Sequence, residues 1–146
     1  MGRVEGIFFG AVDEGPIDRA EQVTVDAATG IEGDRYQDLT LFEAEALEGL
    51  LADTGIDLGP NEIRRNVMTR GIALNDLVGH RFRIGQVECV GDERCDPCRH
   101  LERLTQPGVL RGLVDRGGLR ANILRGGAIR VGDAVEDLGP AEDPSR

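Results

Sequence analysis

Along the chain, apolar and polar positions alternate in short runs that glycine repeatedly interrupts, and a period of two predicts strands. Residues 3–10 open as a strand and residues 21–27 form a second, with the turn cluster Asp13-Glu14-Gly15-Pro16 between them. Gly30 and Gly33 then bracket a loop that runs to Tyr36. One stretch changes period. Leu41, Ala44, Leu47, Leu50 and Leu51 share a face at helical spacing, Thr40-x-x-Glu43 has the spacing of a capping box, and Gly55 supplies a stop. A helix from about Thr40 to Gly55 is expected. Residues 64–69 suit a strand closed by Gly71. Residues 81–90 alternate about Gly85, which marks a bulge or tight bend, and Phe82, Ile84, Val87 and Cys89 point inward. Residues 119–125 make another strand before the Gly126-Gly127 turn. Residues 129–136 repeat the apolar-Arg-apolar-Gly-polar-apolar order found around Gly85, which suggests matched strands in one sheet.

Short, numerous, glycine-punctuated strands with a few inserted helices predict a β-rich α+β fold of barrel type rather than a doubly wound sheet. The length suits one domain, placed at residues 1–137, and the Gly139-Pro140 and Pro144 breakers mark 138–146 as a flexible tail. With no Trp and one Tyr, the core must be built from Leu, Ile, Val and Ala. No apolar run is long enough to span a membrane and no signal peptide pattern opens the chain, so a cytoplasmic address is expected.

Charge narrows the partners. A net charge of −10 argues against nucleic acid as the ligand. The distribution is uneven: residues 1–63 hold 15 acids and 3 arginines, whereas residues 64–130 hold 7 acids and 13 arginines. The basic half carries every cysteine, so a small anionic ligand is expected there. All the basic residues are Arg, and without a lysine no covalent pyridoxal phosphate chemistry is possible.

Cys89, Cys95 and Cys98 do not form the even set of a disulfide framework; they read as one buried thiol and a CxxC pair. Asp96-Pro97 is a helix opener, since Asp96 can cap backbone N–H groups and Pro97 needs no donor at the first helical position. That places Cys98 in a first helical turn, where the N–H groups and Arg94 and Arg99 favour a thiolate, with Cys95 just outside as a second thiol. Four readings remain open: a reactive or metal-ligating thiol, a zinc site completed by Cys89 and His100, a thioredoxin-like dithiol, and two buried thiols without chemistry. His80 and His100 read as surface residues, His100 being the better catalytic partner.

Taken in order, several segments resemble the MOSC family, named for the C-terminal domain of molybdenum cofactor sulfurase. They are Gly30-Ile31-Glu32-Gly33-Asp34-Arg35-Tyr36, Arg64-Arg65-Asn66-Val67, Gly79 to Gly85, Cys95-Asp96-Pro97-Cys98, Arg116 to Ala121 and Ile129 to Val135. The resemblance implies a small stand-alone MOSC-type β-barrel with an essential cysteine at Cys98, which carries persulfide sulfur or ligates the molybdenum of a pterin-bound cofactor (molybdopterin). It also implies a sulfur donor or an electron-transfer protein as partner. Reduction of N-hydroxylated compounds is a related activity, and a non-enzymatic adaptor that keeps the barrel is the alternative from another class. Arginine forks suit the oxygens of such a cofactor, so Arg35, Arg64, Arg65 and Arg120 are candidate binders, with Asn66 as an amide donor.

Overall fold

The computed structural model describes residues 1–95 and 99–141, with only the backbone course described for Arg99 and His100. Seven strands close on themselves. In space they run β1 (Gly2–Phe9), β11 (Ala134–Pro140), β7 (His80–Ile84), β8 (Val87–Arg94), β9 (Leu119–Arg125), β5 (Leu39–Glu43) and β6 (Val67–Arg70), and β6 returns to β1. All neighbours are antiparallel except β5 and β6, which lie parallel with Leu41 opposite Val67. β2 (Asp18–Ala20) extends the sheet beyond β1, and β10 (Gly127–Arg130), β3 (Gln22–Asp26) and β4 (Gly30–Ile31) form a separate small sheet. The expected β-rich barrel is observed.

The barrel interior is aliphatic, as the composition requires. Val4, Ile7, Leu41, Val67, Ile84, Val87, Leu119 and Val135 are fully or almost fully buried in it with the Phe82 ring, and Phe9 packs against it half-buried. A second core lies outside the barrel wall. There α1 (Ala44–Thr54), α2 (Arg99–Leu104) and α3 (Val109–Gly112) cover Phe8, Phe42 and Met68, with Leu50, Leu101, Val109 and Leu113 between them. Strands β1, β5 and β6 are therefore apolar on both faces: Ile7 and Phe8, Leu41 and Phe42, and Val67 and Met68 each send neighbouring side chains to different cores.

This double burial corrects the expected helix start. Residues 39–43 are strand, and α1 begins only at Ala44, with no side-chain cap from Glu43. Glu43 Oε2 accepts from the Leu74 N–H at 2.9 Å instead. Gly55 ends the helix as expected, in the left-handed region, its N–H donating to the Leu51 carbonyl. Residues 81–90 are a hairpin rather than one bent strand: β7 and β8 meet with Ile84 opposite Val87, and Gly85 takes a positive φ in the turn. The four residues expected inward there are all completely buried. Of the two matched segments, β7 does pair with β11, while Gly127–Arg130 joins the small sheet. β11 continues to Pro140, opposite His80, and the Ala141 N–H bonds to Gly79, so three residues assigned to a tail complete the barrel wall. Among the described residues no helix is long and apolar enough to cross a membrane.

Candidate functional site

A cleft of about 780 Å³ opens at one end of the barrel, where β8 finishes and β9 and β5 begin. Arg35, Tyr36, Gln37 and Asp38 line it from the β4–β5 loop, Thr40 from β5 and Arg65 from the segment before β6. Glu93, Arg94 and Cys95 close it from the end of β8, with Arg120 from β9. A narrower extension of about 160 Å³ shares Arg35, Tyr36 and Arg65 and adds Asp13, Arg64, Leu101 and Leu104. Residues far apart in the chain thus converge on one opening, and Cys95 is among them.

Cys95 is half-buried, and its N–H donates to the Gly118 carbonyl at 2.8 Å. The preceding carbonyl, Gly117, accepts from Arg65 Nε at 3.2 Å. Two consecutive glycines therefore hold both the thiol-bearing strand end and a cleft arginine. Cys98, Asp96 and Pro97 lie outside the described residues, as does the expected placement of Cys98 in a first helical turn; the side chain of His100 lies outside them too. Cys89 is the buried thiol the sequence indicated, packed inside the barrel at 0% exposure. Burial, with the neighbouring Glu88 carboxylate adding to it, pushes its pKa up to about 12. Because the folded value lies above the ordinary 9.0, the stability this thiol confers is whole below pH 9.0 and is lost as pH rises towards 12. Brief alkylation of the native protein at pH 8 is expected to modify Cys95 and spare Cys89, as read by peptide mass mapping; prompt labelling of Cys89 would contradict the sealed interior.

The candidate arginines separate into three kinds. Arg120 is bound by carboxylates on every side, with Glu93 at 2.7 Å, Asp92 at 2.9 Å and Asp38 at 3.9 Å. Its charge is locally compensated, so it braces β9 against the strand ends more than it offers a vacant cation. Arg65 is the opposite case: its one bond is to the Gly117 carbonyl, and no carboxylate pairs with it among the described residues. Arg35 is buried, with its side chain 6% exposed, and pairs with Asp34 at 3.2 Å. Its guanidinium lies 4.6 Å from the Tyr36 ring centre, but its Nε has no hydrogen-bond partner among the described residues. Arg64, whose carbonyl accepts from Arg35 at 3.5 Å, takes a left-handed φ of 63° and also leaves a buried Nη2 without a partner. Two buried donors without acceptors beside one cleft are unusual, because such groups are nearly always satisfied.

Asn66 does not join them. Its side chain is buried, its Oδ1 accepts from the Thr40 N–H and hydroxyl, and its Nδ2 donates to the Phe8 carbonyl. The Thr40 hydroxyl in turn accepts from the Asn66 N–H. Asn66 therefore ties β1, β5 and β6 together, with both polar atoms of its amide engaged inside the protein and its side chain turned away from the cleft's open volume. His80 sits on the barrel exterior, paired with Asp137 at 3.0 Å. Asp137 is held below the ordinary carboxylate range by the Gly139 N–H first and by His80 second. Sequence reasoning missed Asp34, Asp38 and the acid cluster around Arg120. Nothing in their local pattern distinguishes them from the many solvated acids of this chain.

The MOSC domain family model matches residues 28–136. The fold is similar to that of the YuaD protein from Bacillus subtilis, with a TM-score of 0.82 at 17% identity, covering 97% of this chain and 98% of that one. It is also similar to YiiM from Geobacillus stearothermophilus, with a TM-score of 0.75 at 13% identity, covering 94% of this chain and 75% of that one. YiiM from Escherichia coli gives a TM-score of 0.71 at 15% identity, covering 97% of this chain and 72% of that one. No curated protein matches the sequence.

Proposed function

The chain belongs to the MOSC domain family, and on that premise we propose that it works through the Cys95–Cys98 run, as a persulfide sulfur carrier or as a binder of pterin-held molybdenum. The observation that supports this reading most is the convergence on one cleft of Cys95, Arg65 and Arg35, where among the described residues Arg65 pairs with no carboxylate and Arg35 Nε has no acceptor. Its volume lies within the range of small-molecule sites. A thiolate with guanidinium donors is the donor set that a phosphate-bearing, oxo-metal cofactor requires, so the residues fit the group.

In this reading Arg65, Arg35 and Arg64 hold the anionic oxygens, and Gly117 and Gly118 keep Arg65 and Cys95 in place. Cys98 would be the thiolate ligand and Cys95 the second thiol. Bound molybdenum would supply redox chemistry to N-hydroxylated compounds, with an electron-transfer protein as partner. For sulfur transfer, the Cys98 thiolate attacks the outer sulfur of a donor persulfide. A new S–S bond forms at Cys98, the donor's S–S bond breaks, and the donor leaves as a thiolate. Cys89, a thiol outside any disulfide, fits a reducing cytoplasmic setting.

Intact-mass analysis of protein from sulfur-replete cells is expected to show an adduct of about 32 Da that Cys98→Ser abolishes. Metal analysis with pterin fluorescence on the same preparation separates the two forms of the proposal, since a carrier shows the adduct and a cofactor binder shows metal and pterin. Protein lacking adduct, metal and pterin would leave the non-enzymatic adaptor in their place.

A further inference from the structure

Arg35 Nε, which has no hydrogen-bond partner among the described residues, faces a carboxylate of the protein itself. Asp13, on the turn between β1 and β2, stands 3.9 Å from that nitrogen and accepts from the Tyr36 hydroxyl at 3.0 Å. Its other contact is the Glu14 N–H, at 3.2 Å. The two ends of this arrangement differ sharply: the Asp13 side chain is 71% exposed, the Arg35 side chain 6%.

Arg35 is already neutralised by Asp34, whose side chain is 1% exposed and whose second oxygen also receives the Tyr36 N–H. Asp13 is thus a second carboxylate on a guanidinium that needs one. It is close enough to attract and too far to hydrogen-bond. A ligand oxyanion at ordinary hydrogen-bond distance from Nε would gain the charge-assisted bond that Asp13 lacks. The displaced carboxylate would regain water at small cost because it is mostly hydrated already.

We propose that Asp13 is an internal stand-in for the ligand's anionic group, held across Arg35 and Tyr36 as a latch and displaced when a phosphate-type oxyanion enters. This rests on reading the cleft as an anion site and adds its regulation. The latch makes the site selective: a monoanionic carboxylate only matches Asp13, whereas a phosphate dianion outcompetes it.

Tyr36 reports the event, being the single tyrosine of a chain without tryptophan. A phenol hydrogen-bonded to a carboxylate emits weakly, because the carboxylate takes its proton in the excited state. Titrating the full chain with inorganic phosphate is therefore expected to raise its emission. Asp13→Asn is expected to start bright and to bind phosphate about tenfold tighter by calorimetry, a change of the size that losing one competing charge near the surface allows. Asp18→Asn, an equal change in net charge away from the cleft, is expected to shift affinity less than about twofold. If Arg65→Gln weakens phosphate binding while Asp13→Asn neither tightens it nor brightens Tyr36, the anion site stands and the latch is wrong. If phosphate binds none of these proteins, the anion reading falls and the latch with it.

Discussion

Replacing Asn66 by Ala is expected to lower the unfolding free energy by about 2–4 kcal/mol, from one buried carbonyl and two half-buried Thr40 groups left without their partners, at about 1–3 kcal/mol for a buried group and less for the others. The Phe8 carbonyl loses the Nδ2 donor, and the Thr40 N–H loses Oδ1. The Thr40 hydroxyl keeps the Asn66 backbone N–H but loses its own acceptor. These three strands meet where the only parallel pairing of the barrel, β5 with β6, must be joined to β1. Asn66→Asp tests the direction of each bond. The introduced carboxylate keeps the acceptor for Thr40 but cannot donate to Phe8, and it places a charge where exposure is 2%. Protonation restores a donor, so this variant, unlike Asn66→Ala, is expected to recover stability relative to the native protein as pH falls. Urea unfolding at pH 7 and pH 5 measures both. A loss below about 1 kcal/mol for Asn66→Ala would remove the side chain from its bracing role.

The same side chain shows where sequence reading stopped. Asn66 stands in a run of Arg64, Arg65 and Asn66 that looks like ligand-binding chemistry, yet its partners are a strand 26 residues earlier and another 58 residues earlier. A linear pattern carries no information about such distant bonds. Thr40 misled for the same reason, since its spacing to Glu43 satisfies a local rule while its hydroxyl is committed to Asn66. The helix there seemed to begin early because Leu39, Leu41 and Phe42 are all buried, on two faces of one strand. A continuous apolar run in a doubly covered strand resembles the edge of a helix. By contrast, the alternation through Phe82, Ile84, Val87 and Cys89 was legible because β7 and β8 bury one face only, and period two then has a single meaning.

Charge was legible at the scale of the chain but not of the site. The basic half does contribute Arg65, Arg94 and Arg120 to the cleft. Folding pairs much of that charge with acids drawn from both halves: Arg94 with Asp115, Arg116 with Asp53, and Arg120 with Asp38, Asp92 and Glu93. What distinguishes the cleft is the remainder: among the described residues, Arg65 pairs with no carboxylate and two buried guanidinium nitrogens find no acceptor. Which cations keep a local acid and which do not is decided by these long-range pairings, and sequence cannot say which those are.

Gly118→Ala is expected to cost at least about 3 kcal/mol and to disturb the cleft together with the fold. Gly118 adopts a φ of 117°, and an added Cβ would lie 2.2 Å from the Leu41 carbonyl oxygen, a backbone atom of β5 that has no rotamer by which to retreat. The positive φ alone accounts for about 1–3 kcal/mol; the remainder comes from driving β9 away from β5 where Leu119 pairs with Leu41. Gly55→Ala serves as the reference for a positive φ alone, since Gly55 has a φ of 77° and nothing within 4 Å of the added carbon. The functional consequence follows from the two carbonyls beside the strain. Gly118 anchors the Cys95 N–H and Gly117 anchors Arg65 Nε, so their displacement is expected to alter Cys95 alkylation and weaken phosphate binding in the folded variant. Gly55→Ala is expected to leave both unchanged. Equal losses of stability in the two variants would show that the close approach of β9 to Leu41 is relieved at no cost, and would detach this glycine pair from the positioning of the thiol and the arginine.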